Sequence, residues 1–187
     1  MRQHNLFWGS SYDRGIQHLL KMWPEVKKTY PDAELHICYG WDLFDAAYTD
    51  NKERQAWKTK MQKLMSHKGI TEHGRLSKEE LTKVRKKCGI WAYPTDFGET
   101  NCITGLDCQL DGVVPCVINK AGLKESVQSG VKVEGDIYDQ ETQEKYLLEL
   151  VEIMADKERW KKEQIKGRIH ALKFKWANTA KEWSKHL

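Results

Sequence analysis

The sequence lacks any apolar run long enough to cross a bilayer. A membrane-spanning helix needs roughly 18 to 20 mostly apolar residues, and no uninterrupted apolar stretch approaches that length. The first residues, MRQHNLFWGSS, also lack the apolar segment and small-residue cleavage site of a secretory signal peptide. Together these absences lead us to expect a soluble protein of the cytoplasm.

Paired cysteines and metal-ligand spacings are also lacking. The five cysteines fit neither a disulfide framework nor a Cys-x-x-Cys zinc site, so we predict reduced and mostly buried thiols. No His and Asp cluster has the spacing of a divalent-metal site, which is consistent with a site that works without a metal. Glycine and proline number 13 and 4 in 187 residues, which argues against a collagen-like or low-complexity chain.

Charge is nearly balanced along most of the chain but not at its end. The net charge is +4, and residues 156–187 carry ten Lys and Arg against four Asp and Glu, so that the rest has a net charge of −2. The basic residues are spread around amphipathic helical patterns, which favours a solvated helix surface over nucleic-acid binding. Peripheral contact of these basic helices with an anionic membrane surface is a further alternative.

Short apolar runs alternate with helical patterns along the chain. The first run, Leu6 to Trp8, precedes the turn GSSYDRG and a helix marked by Ile16, Leu19, Leu20 and Trp23. Further strands are predicted at 33–39, 70–73, 89–93 and 113–118, and further helices at 50–68, 77–87 and 102–110. Strands that alternate with helices at this spacing pair in parallel, because each crossover must travel back along the sheet. The predicted fold class is therefore α/β, a Rossmann-like open parallel sheet with helices on both faces.

The chain beyond Gly135 is predicted to be helical, at 140–154 and 156–187. We therefore divide the chain into a Rossmann-like domain over residues 1–138 and a C-terminal helical extension over 139–187 that packs on it.

An aromatic stripe marks the last predicted helix. Trp176, Ala180, Trp183 and Leu187 recur at spacings of four, three and four. We expect this stripe to dock on the domain, with a face that binds a partner as the alternative.

Two loops that lead from predicted strands into helices carry residues suited to an anionic or polyhydroxylated ligand. The first, GSSYDRG from Gly9 to Gly15, offers serine donors and the guanidinium of Arg14, which can fork onto phosphate oxygens. The second, at 94–102, enters a helix whose first amides are free to hold an anion. Glu99 and Asp107 lie at the entry of that helix and about two turns along it, where carboxylates can accept sugar hydroxyls. A capping acid and a surface acid are the alternative for these two residues.

The segment WAYPTDFGETNCITGLDCQLDGVVPCV resembles the donor-binding motif of retaining glycosyltransferases of the GT-B type, family four. That motif has an acid after a Gly-containing turn and a second acid beyond seven intervening residues. The segments SSYDRG, PDAELHICYGWD and EHGRLSKEELTKVRKKCGIWAYP are also similar to this family, in the same order and separation. The resemblance spans about residues 5–135 and implies the C-terminal, nucleotide-sugar-binding lobe of such an enzyme.

The resemblance implies roles for individual residues. Glu99 matches the acid that contacts donor-sugar hydroxyls, Asp107 the acid that holds the nucleotide ribose, and Arg14 the basic residue that neutralises the diphosphate; Glu99 and Arg14 are the catalytic residues implied. The other donor-binding residues implied are Gly9, Ser10, Ser11, Gly74, Arg75, Leu76, Gly98, Thr100, Asn101 and Cys102. The segment 74–76 matches the part of the family that borders the base. Ser10 and Asp107 stand where many members have Arg and where Glu is usual.

The reaction implied is the retaining transfer of a glycosyl group from a nucleoside diphosphate sugar, without a metal or other cofactor. Arg14 and the helix amides would stabilise the negative charge that the leaving diphosphate gathers. The sugar or lipid-linked acceptor would bind an N-terminal lobe absent from this chain, and no nucleic-acid partner is expected. Two alternatives remain: a non-catalytic module that binds a nucleotide sugar or a protein, and a nucleic-acid-binding accessory protein that uses the basic tail.

Overall fold

Six parallel strands form one sheet at the centre of the molecule. The structure is a computed structural model that describes residues 1–186. The strands are β1 (Asn5–Trp8), β2 (Glu34–Ile37), β3 (Ile70–Glu72), β4 (Ile90–Tyr93), β5 (Val114–Ile118) and β6 (Val131–Val133). Their order across the sheet is β3-β2-β1-β4-β5-β6, and each neighbouring pair is parallel. The predicted Rossmann-like open sheet is therefore confirmed.

Helices connect the strands and follow the last of them. They are α1 (Ile16–Thr29), α2 (Asp42–Tyr48), α3 (Lys52–Met65), α4 (Lys78–Lys87), α5 (Ile103–Leu110), α6 (Leu123–Ser126), α7 (Gln140–Ala155), α8 (Lys157–Ala171) and α9 (Trp176–Trp183). Pro24 lies inside α1, which continues past it. The buried Leu20, Trp23 and Val26 keep this helix against the sheet, so packing outweighs the hydrogen bond that proline removes. The sequence patterns do not predict the short elements α2, α6 and β6.

The central strands form the core. Every residue of β4 and β5 is buried, as expected for parallel strands covered on both faces. The ring of Tyr93 lies 4.9 Å from that of Trp8 and 4.8 Å from that of Trp91, so aromatic packing joins β1 and β4. All five cysteines are buried and free, as predicted.

The strand order reverses at the centre of the sheet. The chain runs outward from β1 through β2 to β3 and then returns to β4, on the other side of β1. In open α/β sheets such a reversal leaves a crevice at the carboxyl ends of the two central strands. The loops 9–15 and 94–102 follow these two strands and therefore meet at the crevice.

Helices α7 and α8 pack on the sheet, but α9 does not. The Tyr146 hydroxyl in α7 donates to the carbonyl of Cys116 at 2.7 Å, and the Trp160 indole in α8 donates to that of Gly89 at 2.9 Å. In α9, by contrast, Trp176 is 87% exposed and Trp183 is 71% exposed. The expected docking of the aromatic stripe is therefore wrong for these two residues, while Leu187 lies outside the described residues. None of the described helices has both the length and the apolar character needed to span a membrane.

Candidate functional site

A close approach of two loops builds the candidate site. Gly15, between the first loop and α1, has φ +107°, a left-handed conformation that favours glycine. A Cβ atom at this position would lie 3.0 Å from the carbonyl oxygen of Pro94 and 3.1 Å from the Cα of Thr95. Glycine thus lets the loop after β1 pack directly against the loop after β4. The Thr95 hydroxyl also donates to the carbonyl of Arg14 at 2.7 Å.

Arg14 and Glu99 form an ion pair across the two loops. Arg14 Nη1 lies 3.0 Å from Glu99 Oε1 and 3.3 Å from Oε2. The Tyr93 hydroxyl, at the end of β4, donates to Glu99 Oε1 at 2.7 Å. Burial and this hydrogen bond raise the pKa of Tyr93, so the phenol keeps the proton that it donates. Glu99 is buried and held from two sides.

Much of the Arg14 guanidinium remains available to a ligand. The contacts with Glu99 use Nη1 alone, and the side chain is 37% exposed. The guanidinium carbon lies 4.3 Å from the centre of the Phe97 ring, a cation–π contact that fixes its plane. Because Arg carries five N–H donors, a fixed and partly exposed guanidinium can bind an anion while it stays paired with Glu99.

The segment 98–102 leads from Glu99 into α5. Gly122 donates its amide to the carbonyl of Glu99 at 2.7 Å, and a Cβ atom on Gly122 would lie 2.4 Å from the carbonyl oxygen of Thr100. The loop after β5 therefore supports this segment from behind. Gly98, Thr100 and Asn101 are exposed. Burial raises the pKa of the Cys102 thiol to about 12, so the predicted contribution of Cys102 rests on its backbone and not on a thiolate.

A cavity of about 220 Å³ adjoins the first loop. Gly9, Arg75 and Leu76 line it, as three of the residues that the sequence predicts for donor binding. Its remaining walls are Cys38, Tyr39 and Leu81. The structure thus brings the first loop and the segment 74–76 to one cavity. Gly74, with φ +68°, accepts a hydrogen bond from the amide of Tyr39 at 3.1 Å.

Two further residues predicted from the sequence, Ser10 and Ser11, make hydrogen bonds within the protein. Ser10 is buried, and its carbonyl accepts a hydrogen bond from the Trp8 indole at 2.7 Å. Ser11 is half-buried, and its hydroxyl donates to Asp13 Oδ1 at 2.6 Å. These contacts shape the turn of the first loop.

Asp107 lies apart from the Arg14–Glu99 pair, on the side of α5 next to α4. Its Oδ2 atom lies 3.3 Å from Arg85 Nη1, and its side chain is 41% exposed. The structure therefore gives the second acid a cationic partner that sequence reasoning did not identify.

Two tyrosines that sequence patterns do not single out, Tyr12 and Tyr93, also hold the site together. Tyr12 donates to Glu72 Oε1 at 2.7 Å and accepts from the Gly40 amide at 2.9 Å, so it joins the first loop to the ends of β2 and β3. Tyr93 holds Glu99. Tyrosine at a strand end or in a polar loop was the available signal, because a buried phenol needs a hydrogen-bond partner.

Within residues 1–186, no group of three or more His, Cys, Asp and Glu side chains is placed to hold a metal ion. The cationic groups described at the site are side chains, those of Arg14 and Lys120. Lys120 Nζ donates to the carbonyl of Asp96 at 2.8 Å, beside the second loop.

The sheet order and the paired loops at its central crevice define a Rossmann-like α/β lobe. Residues 10–167 match the family model of glycosyl transferases group 1, and the chain belongs to this family. No curated protein matches the sequence significantly.

Solved structures of glycosyltransferases share the fold. Sucrose-phosphate synthase from Thermosynechococcus elongatus matches with a TM-score of 0.76 and 18% identity, over 97% of this chain and 43% of that one. Anabaena Alr3699/HepE, solved in complex with UDP-glucose, matches with a TM-score of 0.70 and 14% identity, over 98% of this chain and 48% of that one. The pneumococcal O-GlcNAc transferase GtfA, in complex with UDP and GlcNAc, matches with a TM-score of 0.70 and 15% identity, over 99% and 35% of the two chains. The chain thus has the fold of one GT-B lobe and spans less than half the length of each of these proteins.

Proposed function

We propose that this chain is the donor lobe of a glycosyltransferase and binds a nucleoside diphosphate sugar at the crevice between β1 and β4. The observation that carries the proposal is the Arg14–Glu99 pair, at 3.0 Å, which sets a guanidinium beside a carboxylate between the two central loops. The guanidinium suits a diphosphate, and the carboxylate suits sugar hydroxyls. UDP-glucose in the Alr3699/HepE structure supports this substrate class.

The reaction that we propose is glycosyl transfer with retention and without a metal. The diphosphate becomes more negative as its bond to the anomeric carbon breaks. Arg14, already oriented by Glu99 and Phe97, can stabilise this charge without reorganising. The first amides of α5 have no acceptors within the helix and add positive potential at the same crevice.

The other predicted donor contacts involve the cavity beside the first loop and the segment that leads into α5. The cavity lined by Gly9, Arg75 and Leu76 suits the base, since it is partly apolar and adjoins the first loop. Asp107 would accept hydrogen bonds from the ribose, and the segment 98–102 would contact the sugar and the diphosphate.

We further propose that the acceptor, a sugar or a lipid-linked glycan, binds a part of the enzyme outside these 187 residues. The proposal is supported by the solved relatives, of which this chain covers 35% to 48%. The chain alone is then expected to bind donor, and transfer needs the acceptor-binding part. The function would belong to glycan biosynthesis in the cytoplasm, and the proposal includes no nucleic-acid partner.

Contact with an anionic membrane surface is a second proposed interaction. The exposed Trp176 and Trp183 lie on α9 among Lys173, Lys175, Lys181 and Lys185. Exposed tryptophan combined with lysine is typical of helices that lie at a membrane interface. A membrane location would bring the lobe to a lipid-linked acceptor.

Donor binding by the two loops is tested with Arg14→Ala and Glu99→Ala. Calorimetric titration with UDP-, GDP- and ADP-sugars, in the presence of EDTA, is expected to give saturable binding to the native chain. Each substitution removes a charge-assisted contact of roughly 1.5 to 3 kcal/mol, which predicts about a tenfold or greater loss of affinity.

Arg159→Ala is the matched control for this experiment. Arg159 is equally exposed, at 37%, and pairs with Glu149 at 2.9 Å, but it joins α7 to α8. Its replacement should leave donor affinity unchanged. Native affinity in both site variants would remove the assignment of the loops, and binding that disappears with EDTA would contradict the metal-free site.

A further inference from the structure

Arg85 is a buried cation that contacts two carboxylates, that of Asp107 in α5 and that of Asp111 directly after α5. The residue lies in the last turn of α4 and is 6% exposed. Its Nε donates to Asp111 Oδ2 at 2.6 Å, and its Nη1 lies 3.3 Å from Asp107 Oδ2. A buried guanidinium is costly unless it is paired, so these contacts fix its position.

The two carboxylates differ in their exposure to solvent. Asp111 has an 11% exposed side chain, and Lys86 Nζ lies 3.9 Å from its second oxygen, Oδ1. Asp107 has a 41% exposed side chain, and Arg85 contacts its Oδ2 atom. Within residues 1–186, no hydrogen bond reaches Asp107 Oδ1, and the shortest contact between Arg85 and Asp107 is made by Oδ2. Asp111 thus anchors Arg85, while Asp107 keeps a free edge towards solvent.

A carboxylate held at one oxygen is a prepared acceptor at the other. Asp has only two side-chain torsions, so an ion pair at 3.3 Å with the buried Arg85 limits the positions open to its carboxylate. A fixed carboxylate edge binds hydroxyl groups with a smaller loss of conformational entropy than a mobile one. The planar fork of arginine allows Nε and Nη1 to serve the two acids at once, which a lysine ammonium cannot do in the same geometry.

We propose that Arg85 is a positioning residue for the recognition of ribose, because it holds the Oδ2 atom of the partly exposed Asp107 side chain while Oδ1 accepts no hydrogen bond within the described residues. This inference rests on the proposed donor-binding function and adds to it a residue on α4 that does not itself touch the nucleotide. It also explains how Asp107, which is one methylene shorter than the usual Glu, can serve as an acceptor, because the contact with Arg85 on α4 orients its carboxylate.

The test compares nucleotides with and without ribose hydroxyls. UDP, GDP and ADP are titrated alongside their 2′-deoxy and 3′-deoxy forms, and the affinity ratio of each pair is recorded. In the native chain, a charge-assisted contact predicts that the ribonucleotide binds about tenfold more tightly than a deoxy form. The ratio should fall towards one in Asp107→Asn, in Arg85→Gln and in Arg85→Lys. The affinity for the deoxy form should stay within about threefold of native, because the diphosphate contacts remain.

Asp111→Asn is the matched control, since the oxygen of the isosteric amide can still accept the hydrogen bond from Arg85 Nε while Asp107 itself is unchanged. We expect it to keep the native ratio, even if it lowers thermal stability. An equal fall in Asp111→Asn and Arg85→Gln would reduce Arg85 to a structural role and overturn the inference. Should Arg85→Gln fail to fold, the comparison of Arg85→Lys with Asp111→Asn decides the matter in the same way.

Failure of the inference and failure of the proposed function have different signatures. A native ratio in Arg85→Lys and folded Arg85→Gln, with a lost ratio in Asp107→Asn, would overturn the role of Arg85 alone. Absence of binding by every nucleotide to the native chain would overturn the donor-binding function, and the inference with it.

Discussion

At the scale of single residues, Gly15 is the position on which the site's geometry depends most directly. Its left-handed backbone disfavours any other residue, and a Cβ atom 3.0 Å from the Pro94 carbonyl oxygen would force the second loop to shift. Arg14 precedes it, so the direction of the guanidinium towards Glu99 follows from this turn. The loop at 9–15 therefore has its shape set by both backbone conformation and crowding.

Gly15→Ala and Gly74→Ala separate these two causes. Both glycines have positive φ, but a Cβ atom on Gly74 meets nothing within 4 Å. A strained backbone costs about 1 to 3 kcal/mol, so Gly74→Ala should lower the free energy of unfolding by an amount near the lower end of that range. Gly15→Ala should cost more, because crowding adds to the strain. Chemical denaturation of the two variants measures the difference, and equal losses would show that the loop contact imposes no restraint.

At the scale of elements, α4 has its start fixed by sequence and its end fixed by contacts. The Ser77 hydroxyl accepts a hydrogen bond from the Glu80 amide, and Glu80 accepts one from the Ser77 amide at 3.0 Å. This reciprocal cap is recognisable from four consecutive residues. At the other end of α4, Arg85 finds its partners on α5, which no pattern within α4 indicates.

Ser77→Ala should lower the free energy of unfolding by about 1 kcal/mol at neutral pH. The side chain and the amide of Ser77 hold the pKa of Glu80 below its usual value. A depressed carboxyl pKa contributes stability above the pKa of the unfolded chain, and this contribution is lost as pH falls through the lower folded value. The penalty of Ser77→Ala should therefore shrink in acid. Denaturation at neutral and acidic pH, with Thr82→Ala as a mid-helix control, checks this, and a penalty that stays constant or grows in acid would contradict it.

At the scale of the whole molecule, the helices after the sheet divide into packed and unpacked ones. Trp160 in α8 is buried and bonded to the start of β4, whereas α9 buries none of its residues. We therefore expect the folded lobe to depend on α7 and α8 more than on α9.

A chain that ends at Phe174 tests this division together with the proposed membrane contact. Its free energy of unfolding should stay within about 0.5 kcal/mol of native, as for surface changes that remove no buried contact. The native chain is expected to sediment with vesicles that contain phosphatidylserine, and the shortened chain should not, because it lacks Trp176 and Trp183. A chain that ends at Asp156 serves as the control and should not fold, because it lacks Trp160. Loss of stability on removal of α9 would contradict the division, and unchanged sedimentation would contradict the membrane contact.

Much of the fold follows from local patterns, and the exceptions have a common cause. The strands from Leu6 to Ile118 were predictable from apolar runs, and α4 from its cap. The three-residue β6 was not, because Val131 to Val133 become a strand only through pairing with β5. The tryptophan stripe of α9 was misleading, since helical spacing indicates that a helix has an apolar face but not what covers it.

The sequence by itself determined the succession of the first five strands and of the longer helices, the burial of the cysteines and the positions of the polar loops. These properties depend on residues within a few positions of one another, where propensity and periodicity act. Only the tertiary structure decided that Arg14 pairs with Glu99, 85 positions away, that Arg85 holds Asp107, and that α9 leaves its two tryptophans exposed. Such contacts depend on the order of the strands in the sheet, because that order determines which loops and helices become neighbours.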